Sequence, residues 1–230
     1  MDFSVITDNL DYFLLGAYPD GPLGGAALTL LLSLLSGLIA ALLGLGLGIA
    51  LSVLKGWPRG VLLTVLGFFR AIPVLMLIFW SYFLLPIVFH IDVPALATVV
   101  CALSLIGGAY LAHSVHAGIQ SLPEGQWAAA RALGMQPGQV LRLIILPQAL
   151  PIMLPSFLNQ WTSLIKDTSL GYVIGVGELS FVATQISNRV MVHPTEIFLF
   201  VALVYFVFCS ILDLLAGLLQ RRRGGARPTA

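Results

Sequence analysis

The chain has 230 residues, of which 59% are hydrophobic and 9% charged, with a mean hydropathy of +1.00. A soluble domain carries about 25% charged residues, so this composition excludes a water-soluble globular protein and makes lipid the solvent. Eleven Lys and Arg against ten Asp and Glu, with no strongly basic stripe, exclude nucleic acid as a partner.

Residues 1–22 form an acidic lead-in that ends in the turn Pro19-Asp20-Gly21-Pro22. Its Asp2, Asp8, Asp11 and Asp20, with no Lys or Arg, are the opposite of a basic leader, so no signal peptide is expected. From Leu23 to Leu54 no charge interrupts the run. That exceeds the ~20 residues a spanning helix needs, and predicts one tilted helix with a flush-lying start. Within it, Gly44 and Gly48 are four apart, the spacing that lets helices approach closely in membranes. No strand precedes Gly44-x-Gly46-x-Gly48, so a nucleotide fingerprint is disfavoured.

A polar hinge at 55–60 leads to a second span, Val61 to Phe89, with Pro73 predicting a kink. His90-Ile91-Asp92-Val93-Pro94 breaks it, and a third span runs from Pro94 to Ile119. A polar segment at about 120–147 follows. The fourth span, Gln148 to Ile165, is the most polar, and Phe181 to Thr195 is polar enough to lie outside the membrane core. The fifth, Ile197 to Leu219, ends at Arg221-Arg222-Arg223 and a basic tail, 221–230. The transmembrane domain is thus 23–220. Cys101 and Cys209 lie in apolar runs, predicting packed free thiols with no disulfide or metal framework.

Five spans put the termini on opposite sides. Lys55, Arg59, Arg131, Arg142, Arg221, Arg222, Arg223 and Arg227 fall on one side; the four leading aspartates, Asp92, Glu196 and Arg189 fall on the other. Basic residues favour the cytoplasmic face, which predicts an outside N-terminus with the 120–147 loop and C-terminus inside.

The loop reads as two short helices. Ser121-Leu-Pro-Glu124 resembles a capping box, Gly134 suits a left-handed helix end, and Pro137 can open the next helix. Trp127, Ala129, Ala130 and Leu133 form a small-residue ridge that fits a groove on another protein. A hairpin resting on lipid headgroups is the other reading.

Charges at membrane depth are default functional candidates. Arg70 either snorkels to the headgroups or pairs within the bundle, and Asp213 is a helix-interface partner or points at the basic tail. Ser156, Asn159, Ser163 and Asp167 fall at i, i+3, i+7 and i+11 on one helix face beside Lys166, which suits a polar substrate pathway. Alternatively Asp167 or Ser169 only caps the next helical piece. His113 and His116 have i, i+3 spacing but no visible third ligand, so no metal is expected. The chain contains no G-x-x-x-x-G-K-[ST], H-E-x-x-H or G-x-S-x-G, and thus no enzyme site or cofactor is expected.

One spacing goes further. Ala129-Ala130, three residues, Gly134, nine residues, Ile144-x-Leu146-Pro147 resembles the cytoplasmic loop motif of ABC importer membrane subunits, with Ala128 where the motif has Glu. Phe69-Arg70-Ala71-Ile72-Pro73, Ala117-Gly118-Ile119-Gln120-Ser121 and Lys166-Asp167-Thr168-Ser169-Leu170 resemble the polar amino acid branch, the histidine-, glutamate-, glutamine- or arginine-type permeases. The resemblance covers roughly residues 24 to 220. It implies an all-α type I importer permease in a bacterial inner membrane, importing a polar amino acid. It also implies two ATP-binding subunits that hydrolyse the ATP, an extracytoplasmic amino acid-binding protein and a second permease subunit, identical or similar. In that family the loop forms the coupling helix, which assigns Trp127, Ala129, Ala130, Gly134, Ile144, Leu146 and Pro147 to docking the ATPase. Relatives usually carry Glu and Arg where this chain has His113 and His116, which puts these two and Arg70 among the gate or loop-anchoring candidates. An ion-coupled secondary carrier is the alternative from the residues themselves, but only Asp167 is a candidate proton-carrying acid. An intramembrane enzyme lacks a nucleophile–base set.

Overall fold

In lipid every backbone N–H and C=O must be satisfied within its own segment, so long apolar runs become helices. The computed structural model describes residues 4–224, with side chains to 219, and no strand occurs among them. Asp2 and the basic side chains at 221–223 and 227 lie outside the described residues. Two short helices, α1 (Ser4–Asp8) and α2 (Leu10–Leu15), precede α3 (Gly25–Val53), α4 (Trp57–Ala71), α5 (Val74–Phe79) and α6 (Leu85–Phe89). Then come α7 (Ala95–Gln120), α8 (Glu124–Ala132), α9 (Pro137–Val140), α10 (Leu146–Asp167), α11 (Leu179–Val190) and α12 (Pro194–Gly224). Four stretches are long and apolar enough to cross a membrane: Gly25–Val53, Ala95–Gln120, Pro137–Ile174 and Pro194–Leu219. Trp57–Ala71 with Val74–Phe89 makes a fifth if taken as one span.

The bend expected at Pro73 occurs, but as a break that turns the two halves of that fifth span by 100° rather than a mild kink. Ile72 (ψ 132°) and Pro73 (ψ 135°) are both extended, since proline removes a helical N–H and biases the residue before it away from the helix. Other prolines are absorbed. One turn before Pro86 and before Pro147 the helix widens, so that Leu85 N–H bonds Trp80 C=O and Leu146 N–H bonds Leu141 C=O. The wider turn accommodates the missing donor and the ring. Pro151 and Pro155 sit inside an unbroken α10, and the fourth span runs well beyond the expected 148–165.

α3 and α7 form the central pair. A Cβ at Gly44 would lie 2.4 Å from Leu111 Cβ, and one at Gly48 2.5 Å from Val115 Cβ, while Gly46 faces open space. The Gly44/Gly48 spacing therefore acts in packing. Leu28, Leu32, Ala40, Leu103, Ile106 and Leu164 build the main core around the pair. At the end opposite the 120–147 loop, α2, α11 and α12 share a second cluster of Phe13, Leu179, Val182, Ile186 and Ile197. The stretch expected to be merely polar is thus largely the amphipathic helix α11, whose 12 residues are too few to span. Cys101 corrects another expectation: it is exposed rather than packed, whereas Cys209 is half-buried beside the Thr162 carbonyl.

Candidate functional site: a polar cleft and a loop platform

The sharp turn at Ile72–Pro73 leaves a gap against α7 and α10. A cleft of about 510 Å³ opens there, lined by Arg70, Tyr110, Gln160, Ser163, Lys166 and Asp167 with the backbone-bearing residues of the break. Arg70 thereby joins the Lys166–Asp167 pair, from which the sequence reading kept it separate. Its guanidinium lies 5.2 Å from the Tyr110 ring centroid, and Tyr110 Oη donates to the Arg70 carbonyl at 3.3 Å. Asp167 makes no capping hydrogen bond, and Ser169 Oγ donates to the Lys166 carbonyl at 2.7 Å. The capping alternative therefore fails for both.

Only half of the expected stripe reaches the cleft. Successive residues turn by about 100°, so Asn159 stands about 80° from Asp167 around the helix and Gln160 only about 20°. Asn159 is exposed accordingly, and Gln160 lines the wall. Ser156 is aligned with Asp167 but about 16 Å away along the axis, beyond the cleft. Gln160 and Tyr110 were missed; extending the face back from Asp167 by seven residues finds the first, and no local signal finds the second. Asp213 accepts a 3.4 Å hydrogen bond from Thr162 Oγ1, which makes it a partner at the α10–α12 contact.

At the other site, the loop folds as a platform. Gly134 has φ +78°, the left-handed conformation that ends α8, and Pro137 starts α9. The expected capping box does not form: Ser121 Oγ turns back to the Gly118 carbonyl (2.8 Å) and Pro123 precedes α8. Gln139 Oε1 instead accepts from the Gln136 N–H at 2.9 Å at the start of α9. The small-residue ridge is also split. Ala130 is buried and Trp127 half-buried on a cluster of Val115, Ile119, Val140, Ile145 and Met153, whereas Ala128, Ala129 and Leu133 face outward. Ile144 and Leu146 are half-buried against the same cluster, and Pro147 is exposed.

Just above the platform, His116 Nδ1 lies 2.8 Å from Ser52 Oγ, and its Nε2 lies 3.4 Å from an Arg59 terminal nitrogen. His113 Nε2 is buried without a hydrogen-bond partner.

The opposite end holds a residue that sequence reasoning did not single out. Glu178, fully buried, caps α11: Oε1 accepts from Phe181 N–H (2.9 Å), and Oε2 from Ser180 N–H (3.0 Å) and Tyr205 Oη (2.8 Å). Burial raises its pKa to about 7 against the opposing effect of these donors. An acid directly before the apolar run Leu179–Val182 was the available signal.

Residues 40–225 match the family described as binding-protein-dependent transport system inner membrane component. The chain is 33% identical over 199 residues to the L-cystine transport system permease protein TcyB of Bacillus subtilis, covering 86% of this chain and 85% of that protein. It is 38% identical over 162 residues to the glutamate/aspartate import permease protein GltK of Escherichia coli O157:H7, covering 67% and 71%. A chain from the crystal structure of an amino acid ABC transporter with histidines matches with TM-score 0.84 and 29% identity, over 96% of this chain and 99% of that one. A chain of the inward-facing MetNI methionine ABC transporter matches at 0.68 with 20% identity, over 84% and 93%, a likeness of fold alone.

Proposed function

This chain belongs to the family of binding-protein-dependent transport system inner membrane components, as a multi-pass permease of an ABC importer, and from that premise we propose that it forms the path for a polar amino acid. The cleft at the α4–α5 break carries this reading. Arg70 and Lys166 are cations, Asp167 is an anion, and Gln160, Ser163 and Tyr110 add neutral hydrogen-bonding groups. An amino acid zwitterion brings an ammonium and a carboxylate, each of which needs a partner once out of water. The names of the relatives, transporters of cystine and of glutamate and aspartate, support the substrate class. Ser156 and Asn159 are assigned to the same path outside the cleft.

ATP hydrolysis is assigned to a separate ATP-binding subunit, since the sequence contains no Walker loop. In the assembly proposed, two such subunits dock on two permease copies or a permease pair, and an extracytoplasmic amino acid-binding protein delivers the substrate. The outward face of α8, with Ala129, Leu133 and Gly134, makes the docking contact. Trp127, Ala130, Ile144, Leu146 and Pro147 support it from beneath. Arg70, His113 and His116 anchor the loop or gate. The lead-in 1–22 lies outside, and the tail 221–230 and the loop lie in the cytoplasm, as the distribution of basic residues favours.

The test is uptake by the reconstituted transporter. Asp167→Asn and Arg70→Gln should impair uptake of labelled amino acids while the complex assembles and basal ATP hydrolysis persists. Normal uptake by both variants would remove the cleft from the path. Orientation is tested separately: a reporter active only outside the cytoplasm should work when fused after Asp92 and fail after Gly138, and the reverse would overturn it.

A further inference from the structure

The wall of a cleft at the loop end, about 710 Å³, contains Ser52, His116, Gln120, Glu124 and Arg131. From α4, Arg59 reaches the same imidazole. A guanidinium only donates hydrogen bonds, so His116 Nε2 is the acceptor and carries no proton. The neutral ring then holds its proton on Nδ1 and donates to Ser52 Oγ at 2.8 Å. Ser52 Oγ in turn donates a hydrogen bond to the Gly48 carbonyl at 2.9 Å. Every proton between Arg59 and the backbone of α3 is thereby assigned, and α4, α7 and α3 are tied together a few residues before the loop begins.

We propose that Arg59 and His116 are positioning residues for the coupling segment, forming a clamp that holds α3, α4 and α7 together only while His116 is neutral. This rests on reading 120–147 as that segment. Protonation places a hydrogen on Nε2, opposite a guanidinium that offers only N–H groups, so the bond is lost and two cations face each other. Nothing else on the described residues holds Arg59: its Nε is buried without a partner, and no carboxylate lies within ion-pair distance. The charged and titratable groups around the clamp are Lys55 after α3, Arg59 and Arg70 on α4, His113 on α7, and Glu124 and Arg131 on α8. Glu124 is the carboxylate among them and lines the same cleft as His116, so an imidazolium released from Arg59 is attracted toward α8. The end of α7 then exchanges its clamp on α4 for an attraction to the coupling segment. Histidine changes charge between pH 5 and 8, so the device responds to the pH on the loop side.

The complete transporter in proteoliposomes, with its ATPase and binding protein, tests this. Binding-protein-stimulated ATP hydrolysis, divided by basal hydrolysis of the same complex, is measured from pH 5 to 8 with a mixture of the common L-amino acids as substrate. In the natural chain this ratio should fall severalfold from pH 8 to pH 5. His116→Gln should remove the pH dependence while keeping stimulation, because an amide oxygen accepts from Arg59 and its NH₂ donates to Ser52. Neither is possible for His116→Leu, which should lose stimulation at every pH. A flat profile in the natural chain, or an unchanged slope in His116→Gln, overturns the clamp, and this pair decides the matter even if His116→Leu does not fold. Failure of the coupling reading is separate: it appears as Gly134→Val retaining both its ATPase and full stimulation.

Discussion

The two ends of the helical body are finished differently. At the end built from α2, α11 and the start of α12, polar groups close on one another. Glu178 takes three donors, Thr29 Oγ1 accepts from Leu179 N–H (3.2 Å), Tyr12 Oη donates to Gln185 Oε1 (2.7 Å), and His193 lies 3.5 Å from Glu196. At the loop end, Lys55, Arg59, Arg131 and Arg142 find no carboxylate within ion-pair distance among the described residues, and Leu133 is 82% exposed. Polar groups that satisfy one another hold the α11 end together within the chain, although Arg189 there also finds no carboxylate within ion-pair distance among the described residues and Met191 is 83% exposed. An end with open cations and an outward apolar side chain suits a protein partner, which is where the proposed ATPase would sit.

If that contrast is right, a change at the loop end should cost function, and one at the opposite end should cost stability. The largest effect is expected at Gly134. A Cβ there meets nothing within 4 Å, so a substitution acts only through its φ of +78°. A left-handed β-branched residue is strained by about 1–2 kcal/mol, enough to swing the exposed turn between α8 and α9 out of place. Gly134→Val should abolish uptake or release the ATPase while the protein still inserts, as co-purification and uptake assays would reveal. Ala128→Glu, on the outward face beside it, should be tolerated.

The mirror experiment is Glu178→Ala. It leaves two amides and a tyrosine hydroxyl without their acceptor and should destabilise the protein by about 1–3 kcal/mol, read as a lower melting temperature. The variant that does fold should still couple uptake to hydrolysis. Glu178 also sets a pH dependence with a definite sign. Below pH 4.5 the carboxyl is protonated in both the folded and unfolded chain, and above about 7 it is ionised in both. Between the two, the folded state keeps a proton that the unfolded chain releases. Stability should therefore fall as pH rises across this window, by up to about 3 kcal/mol, and Glu178→Gln should flatten the curve. The smallest effect is expected on the cleft's flank, where Asn159→Leu should reduce uptake less than Asp167→Asn. An equal or greater loss would move the path to the exposed face of α10.

How much of this was legible depends on how far each signal reaches along the chain. The uncharged runs at 23–54 and 94–119, the Gly44/Gly48 spacing and the Ala129-to-Pro147 pattern were readable because span length, close approach and a glycine's φ are properties of neighbouring residues. The left-handed Gly134 is the clearest example, since a positive φ is nearly free only without a Cβ. Pro73 was half legible: its missing N–H and its bias on Ile72 predict an interrupted helix, but the 100° turn between the halves goes with the packing of α5 against α7. The split of the Trp127–Leu133 ridge was beyond reach, because which side of α8 is buried depends on Val115, Ile145 and Met153, which lie on α7 and along the stretch that continues into α10.

By itself, then, the sequence determined a multi-span helical body and the hinge of its loop from apolar length and local backbone chemistry, and its family from the resemblance of its motifs. The tertiary structure decided that Arg70, ninety-odd residues before Lys166 and Asp167, shares their cleft, that Gln160 replaces Asn159 on its wall, and that Glu178 is buried among Tyr205 and the first turn of α11. These juxtapositions depend on helix rotation and on which distant surface each helix meets, and a one-residue change of facing swings a side chain by about 100°.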